Sequence, residues 1–182
     1  MKKYLKINYR PEIDGLRAIA VLFVFFYHLD IDFFKFGYLG VDIFFVISGY
    51  LITSLLLKNI NQKSFFLSFY LRRARRLIPA LIVVLLFTSL ITFLYYIPYD
   101  LRDFGQSLLA TITFLSNVLF FIESGYFENL SKVKPLLHTW SLSVEEQFYL
   151  FFPLLIFLIY VKKKASKNII VLFFISSLML AN

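Results

Sequence analysis

Apolar runs broken at regular intervals by short polar stretches divide the chain into candidate helices. From Ile13 to Leu29 the residues are apolar except for Asp14, Arg17 and His28, which predicts a helix over 13–29 that begins after Pro11. Asp30, Asp32 and Lys35 mark a short connection, and Gly37 and Gly40 loosen the chain before a second helix over 38–57. That helix carries one charge, Asp42, with Gly49 and Thr53 on the same face as a small-residue strip for close helix approach. Ser64 to Tyr70 suits an amphipathic segment lying on the membrane surface. Arg72, Arg73, Arg75 and Arg76 follow, and Pro79 then reads as a first-turn residue of a helix over 80–97.

The segment 104–122 has no charge but holds Gly105, Gln106, Ser107, Thr111, Thr113, Ser116 and Asn117. If it crossed a bilayer, Lys162, Lys163, Lys164 and Lys167 would face outward, against the rule that basic clusters stay inside. A re-entrant or interfacial course is therefore favoured over a crossing one. An outer loop over 123–139, with Tyr126, Glu128, Lys132, Lys134, Pro135 and His138, leads to the interfacial aromatic Trp140. Ser143 and Glu146 have the spacing of a capping box at the start of a helix over 143–161, which runs through Pro153. The final apolar run, 169–182, is shorter than the roughly 20 residues needed to span a bilayer, so the chain is expected to stop in mid-helix. The expected fold is all-α, a polytopic transmembrane helix bundle truncated after four to six membrane segments. It forms one domain over 1–182, with no second domain, repeat or flexible linker.

Composition reinforces the membrane reading: 60% of the 182 residues are hydrophobic, 20% are aromatic, and the mean hydropathy is +0.77. The absence of cysteine excludes disulfides, thiolate catalysis and Cys-ligated metals. A net charge of +8 would suit nucleic acid, but the cations sit in clusters beside apolar runs, as inside-facing loops and anionic headgroups require. Lys2, Lys3, Lys6 and Arg10 place the N-terminus in the cytoplasm. Asp14 and Arg17, with no small-residue cleavage site after them, make the first helix a retained one and not a signal peptide.

The first helix also holds the leading candidate chemistry. Arg17 and His28 are eleven residues apart, about 20° from each other on a helix and about 16 Å along its axis, with Asp14 near the same stripe. Ionisable groups at that depth suggest a functional site, although an interfacial arginine and a buried, hydrogen-bonded histidine would explain the stripe without chemistry. Asp42 fits an outer headgroup zone better than pairing with a cation from the first helix. Four arginines within five residues exceed what membrane orientation needs and suit phosphate, which the planar guanidinium grips with two hydrogen bonds. Glu145 and Glu146 read as favourable charges at a helix N-terminus, or as acids projecting into an outer-facing cavity. No metal set is expected, because His28 and His138 are distant in sequence and lack nearby ligands.

Several stretches carry a resemblance. Tyr9-Arg10-Pro11-Glu12-Ile13-Asp14-Gly15-Leu16-Arg17-Ala18 resembles the opening of the acyltransferase 3 family, the polytopic membrane acyltransferases that include bacterial O-antigen and peptidoglycan O-acetylases. His28 sits where that family's Arg-x10-His pattern requires it. The stretch from Gly40 to Tyr50 is similar to its second-helix signature, and Phe69 to Pro79 to its Arg-x-x-Arg segment. His138-Thr139-Trp140-Ser141-Leu142-Ser143-Val144-Glu145-Glu146-Gln147-Phe148-Tyr149 is similar to a signature of the O-acetylase branch.

The resemblance implies transfer of an acyl group, usually acetyl from acetyl-CoA or another acyl-CoA, to a hydroxyl on a cell-surface glycan. It implies His28 as the base and Arg17, oriented by Asp14, as either a donor-phosphate ligand or an oxyanion stabiliser. It maps donor binding onto Arg73 and Arg76, with Arg72 and Arg75 at the same spacing one residue earlier. Asp42, His138, Ser143, Glu145 and Glu146 become candidate acceptor-side residues. The expected partners are acyl-CoA, a glycan acceptor, the lipid bilayer of a bacterial inner membrane and an extracytoplasmic SGNH-type domain or protein, with no metal and no nucleic acid. Two other readings stay open: a small-solute transporter whose buried Arg, His and Asp line a solute path, and an inactive truncated fragment of the acyltransferase.

Overall fold

The computed structural model describes residues 10–62, 64–124 and 134–161. The lysines at 2, 3, 6, 63, 162–164 and 167, the loop residues Tyr126, Glu128 and Lys132, and the final apolar run 169–182 lie outside them. Six α-helices follow in order: α1 Pro11–His28, α2 Leu39–Asn59, α3 Phe65–Tyr95, α4 Pro98–Ile112, α5 Ser116–Ser124 and α6 Thr139–Val161. A short 3-10 turn, Asp32–Phe34, separates α1 from α2, and the described residues contain no strand. Three helices, α2, α3 and α6, are long and apolar enough to cross a membrane, so the all-α membrane-helix fold stands. α1 is 18 residues long and carries Glu12, Asp14 and Arg17. The chain divides into two compact units, Met1–Lys63 with Leu150–Asn182, and Ser64–Tyr149.

In the first unit, Pro11 occupies the first turn of α1, where its missing amide costs no intrahelical bond. The helix ends where Leu29 and Asp30 turn their amides back to the carbonyls of Phe26 and Tyr27, with Asp30 at φ 53°. The reversal brings α2 down against α1 at two glycines. A Cβ on Gly40 would lie 2.5 Å from the Ala20 carbonyl oxygen, and one on Gly37 would lie 2.2 Å from that of Phe23. These glycines therefore set the closest approach of the two backbones and do not loosen the chain. Gly49, expected to provide the close approach, has nothing within 4 Å of where its Cβ would be; Thr53 donates to its carbonyl at 2.6 Å instead.

In the second unit, the surface segment, the arginine block and the apolar run expected as separate pieces form one 31-residue helix, α3, with Pro79 inside it. Proline there removes one amide bond and crowds the Arg75 carbonyl, a cost of about 3 kcal/mol, which the arginine, leucine and alanine on either side, strong helix formers, help to offset. Beyond Pro79, Val83, Leu86, Phe87, Leu90, Phe93 and Leu94 are all exposed, an apolar surface suited to acyl chains. α4 folds back along α3, and Phe104, Leu108 and Leu136 pack with Leu81 and Leu85. α6 begins at Thr139, four residues earlier than the capping-box reading, which places Ser143 and Glu146 inside the helix.

The close approach at Gly40 gives the first test. Gly40→Ala should destabilise the protein by about 1–3 kcal/mol through overpacking, whereas Gly49→Ala, in open space, should be neutral or slightly stabilising. Thermal melts of the two variants in detergent measure the difference, and equal melting temperatures would refute the α1–α2 contact.

Candidate functional site

Arg17 and His28 lie on the single uninterrupted helix α1, so the predicted stripe has the expected helical register. The Arg17 guanidinium lies 3.9 Å from the Asp14 carboxylate, and both side chains are substantially exposed, at 34% and 52%. Such a pair orients Arg17 weakly and contributes little energy. His28, in the last turn, places Nδ1 2.7 Å from the Val24 carbonyl oxygen and packs edge-on against Tyr27. A carbonyl only accepts, so Nδ1 carries the hydrogen and the basic nitrogen of the neutral ring is Nε2. At the opposite end of the helix, Arg10 donates to Tyr50 at 3.2 Å and pairs with Glu12, whose hydrogen bond is the main cause raising the Arg10 pKa above its ordinary value.

The second unit gathers charge around one arginine. Arg73 Nε donates to Glu146 at 3.0 Å, and its Nη2 lies 3.5 Å from Glu145. The guanidinium carbon sits 3.1 Å from the centroid of the Tyr149 ring, and the Tyr149 hydroxyl donates to Glu145. Arg73 and Glu146 are only 23% and 14% exposed, and Tyr149 is buried. Arg72, Arg75 and Arg76 are exposed. By helical geometry those three span about 100° of the α3 circumference, and Arg73 is turned about 60° past Arg76, toward α6.

Beside this cluster, a chain of hydroxyls joins α4 and α5 to α6. Ser107 donates to the Asp103 carbonyl, Thr111 to that of Ser107, and the Thr111 hydroxyl lies 3.0 Å from that of Thr139. Thr139 donates in turn to Ser116, whose hydroxyl is 2.6 Å from that of Ser143. Ser107, Thr111, Ser116 and Ser143 are all buried. The break between α4 and α5 falls at Phe114, at φ 55°, and Gln147 closes it by donating to the Phe114 carbonyl at 2.8 Å and to Asn117 at 2.9 Å. The two arms then return to one neighbourhood. Phe104 on α4 packs with Leu136, and Glu123, at the far end of α5, pairs with Lys134, two residues before Leu136. With 15 and 9 residues, neither arm reaches the roughly 20 needed to span.

Residues 10–181 match the family model described as an acyltransferase domain, acyltransferase 3. The chain belongs to the acyltransferase 3 family. A Staphylococcus aureus protein (strain MSSA476) named "Putative O-acetyltransferase" is 46% identical over 167 residues, covering 89% of this chain and 27% of the relative. The O-acetyltransferase OatA of Staphylococcus aureus (strain NCTC 8325 / PS 47) is 42% identical over 181 residues, covering 98% of this chain and 30% of the relative. The chain thus spans less than a third of the length of these curated relatives. No solved structure matches it.

Within this acyltransferase 3 chain, the predicted site residues fall into distinct places. His28, Arg17 and Asp14 share α1, while Asp42 is exposed in the first turn of α2 and forms no ion pair among the described residues. Arg73, Glu145 and Glu146 come together: the ion pairs put a residue expected on the donor side and two expected on the acceptor side at one level. The carboxylates are not helix-capping groups, since α6 has already run through six residues before Glu145. Ser143 is buried against Ser116, and His138 is exposed in the turn before α6. The sequence reading missed Tyr149 and Gln147. Tyr149 follows Glu145 by four residues, a spacing that places both on one helix face and could have signalled their contact.

Gln147 supplies the test of this arrangement. Gln147→Leu leaves the Phe114 carbonyl and Asn117 without their donor inside the protein, and should destabilise it by about 1–3 kcal/mol. A melting temperature equal to wild type in detergent would show that the break is not closed by Gln147.

Proposed function

We propose that the protein carrying this chain is a membrane O-acyltransferase of a bacterial inner membrane, with its N-terminus in the cytoplasm. It moves an acyl group, acetyl in the first instance, from cytoplasmic acyl-CoA to a hydroxyl of a surface polysaccharide such as peptidoglycan or O-antigen. Family membership and the O-acetyltransferase names of the relatives support the reaction class. The observation that carries the reading is the His28 Nδ1 hydrogen bond to Val24, which leaves Nε2 as the base of the neutral ring.

In this reaction the acceptor hydroxyl gives its proton to His28 Nε2 as its oxygen attacks the thioester carbonyl. The tetrahedral oxyanion collapses, the carbon–sulfur bond breaks, and the imidazolium returns the proton to the departing thiolate. Atoms and charge balance without a metal. Arg17, steered by Asp14, either stabilises the oxyanion or holds a donor phosphate. The exposed Arg72, Arg75 and Arg76 suit the phosphates of the coenzyme A moiety, because guanidinium forks match phosphate oxygens. The acceptor hydroxyl approaches from the outer side, either on the glycan itself or on an SGNH-type domain or protein that passes the acyl group on to the glycan.

Loss of the base should lower kcat by about 10²–10⁴-fold, so His28→Ala in the full-length protein should abolish glycan acetylation while membrane insertion persists. Glycan acetylation at the wild-type level, quantified by released acetate, would overturn the assignment. Arg76→Ala should raise the apparent KM for acetyl-CoA by about tenfold, the equivalent of one charge-assisted hydrogen bond of roughly 1.5 kcal/mol. An unchanged KM would remove the arginine face from donor binding.

A further inference from the structure

One of the four arginines cannot serve donor binding in the way the others can. Arg73 has two of its three guanidinium nitrogens engaged by carboxylates, and its π face lies on Tyr149. A phosphate reaching it would have to displace a charge-assisted hydrogen bond to Glu146 and an ion pair with Glu145 in a partly buried place. It would also meet two carboxylates facing a single guanidinium, a cluster that repels anions. Arg72, Arg75 and Arg76 are exposed, on one arc of α3.

The same contacts give Arg73 a different use. α3 is a long helix whose distal turns are largely exposed, its packing there resting on Leu81 and Leu85, so a polar contact beside the arginines adds to what fixes its rotation. Arg73 joins α3 to three positions of α6: Glu145, Glu146 and, one turn on, Tyr149. A planar guanidinium held at two nitrogens and one face is fixed in direction as well as in distance. Because Arg73 is fixed toward α6, Arg72, Arg75 and Arg76 are held on one arc, about 60° to 160° round α3 from it. Glu145 is itself held from behind by the Tyr149 hydroxyl, which steadies the receiving side.

We propose that Arg73 is a positioning residue: clasped by Glu145, Glu146 and Tyr149, it sets the rotation of α3 so that Arg72, Arg75 and Arg76 present one anion-binding face to the donor's phosphates. This rests on the acyl-CoA reading above and refines it, since it takes Arg73 out of direct phosphate contact and makes Glu145 and Glu146 supports of the donor site and not acceptor-side acids.

A double-mutant cycle between positions 73 and 146 in the full-length protein tests it, with acetyl-CoA as substrate and free coenzyme A as a competing probe. Arg73→Gln removes the cation that two carboxylates share, and should raise the apparent donor KM and the coenzyme A inhibition constant by about fivefold or more with little change in kcat. Adding Glu146→Gln restores the original local charge and puts an amide pair in place of the ion pair between α3 and α6, so it should return both constants to within about twofold of wild type, together with the melting temperature. If the double variant binds donor no better than Arg73→Gln alone, Arg73 touches the phosphates itself and the proposal falls. If Arg73→Gln lowers the melting temperature but leaves donor KM at wild type, the clasp only stabilises the fold, and the proposal falls equally. Arg76→Ala separates this from the parent reading. It should raise donor KM whether or not Glu146→Gln is present, and a wild-type value there would refute the arginine face as a donor site independently of what Arg73 does.

Discussion

Polar side chains on a helix apolar enough to cross a bilayer must find protein partners, and in this chain that constraint converges on α6. Thr139, Ser143, Glu145, Glu146, Gln147 and Tyr149 lie within three turns, and each meets a partner group. Their partners come from α3, from α4, from α5 and from the break between the last two. Interhelical hydrogen bonds of this kind are worth on average about 0.6 kcal/mol each in membrane proteins, so no single one holds the unit together. Leaving any buried member unpaired is what costs most. The N-terminal half of α6 thus acts as a spine to which the other helices of its unit are fastened.

The spine explains why a non-helical stretch can exist beside it. Backbone that leaves the helix inside an apolar environment exposes carbonyls that lipid cannot satisfy. Phe114 is such a residue, and Gln147 meets its carbonyl. One residue earlier on α6, Glu146 meets Arg73. The break and the arginine clasp are therefore neighbours on the same turn, and an alteration at one is expected to reach the other. The first unit works by a different principle. α1 and α2 approach through missing side chains at Gly37 and Gly40, and the surface of α1 that carries Arg17 is left partly open.

How far the sequence could be read depends on which signals are local. Helices over 13–29 and 38–57 were legible because apolar runs and Pro11 mark them, and the structure has Pro11–His28 and Leu39–Asn59. Pro79 and the Ser143–Glu146 pair are start signals by local chemistry, yet both lie inside helices. Context overrode them: residues 71–77 are good helix formers that lead directly into the apolar run beyond Pro79, and Ser143 and Glu146 have partners across the unit that outweigh capping. The hydroxyls of 104–122 marked that segment as something other than a lipid-facing helix. That they meet Thr139 and Ser143 depends on tertiary contacts between residues 23–28 positions apart. The stripe of Arg17 and His28 was visible from spacing alone, whereas the Nδ1 bond to Val24 that decides its tautomer needs coordinates.

We propose that α4 and α5, both fastened to α6, double back beside it and do not cross the bilayer. The chain has no cysteine, so single cysteines placed at the exposed Tyr99, in the first turn of α4, and the exposed Pro135, before α6, can be labelled with a membrane-impermeant maleimide from each side in turn. Labelling of both positions from the same side is the predicted result. Labelling from opposite sides would mean that the segment crosses, and would contradict the hydroxyl seam and the level shared by Arg73, Glu145 and Glu146.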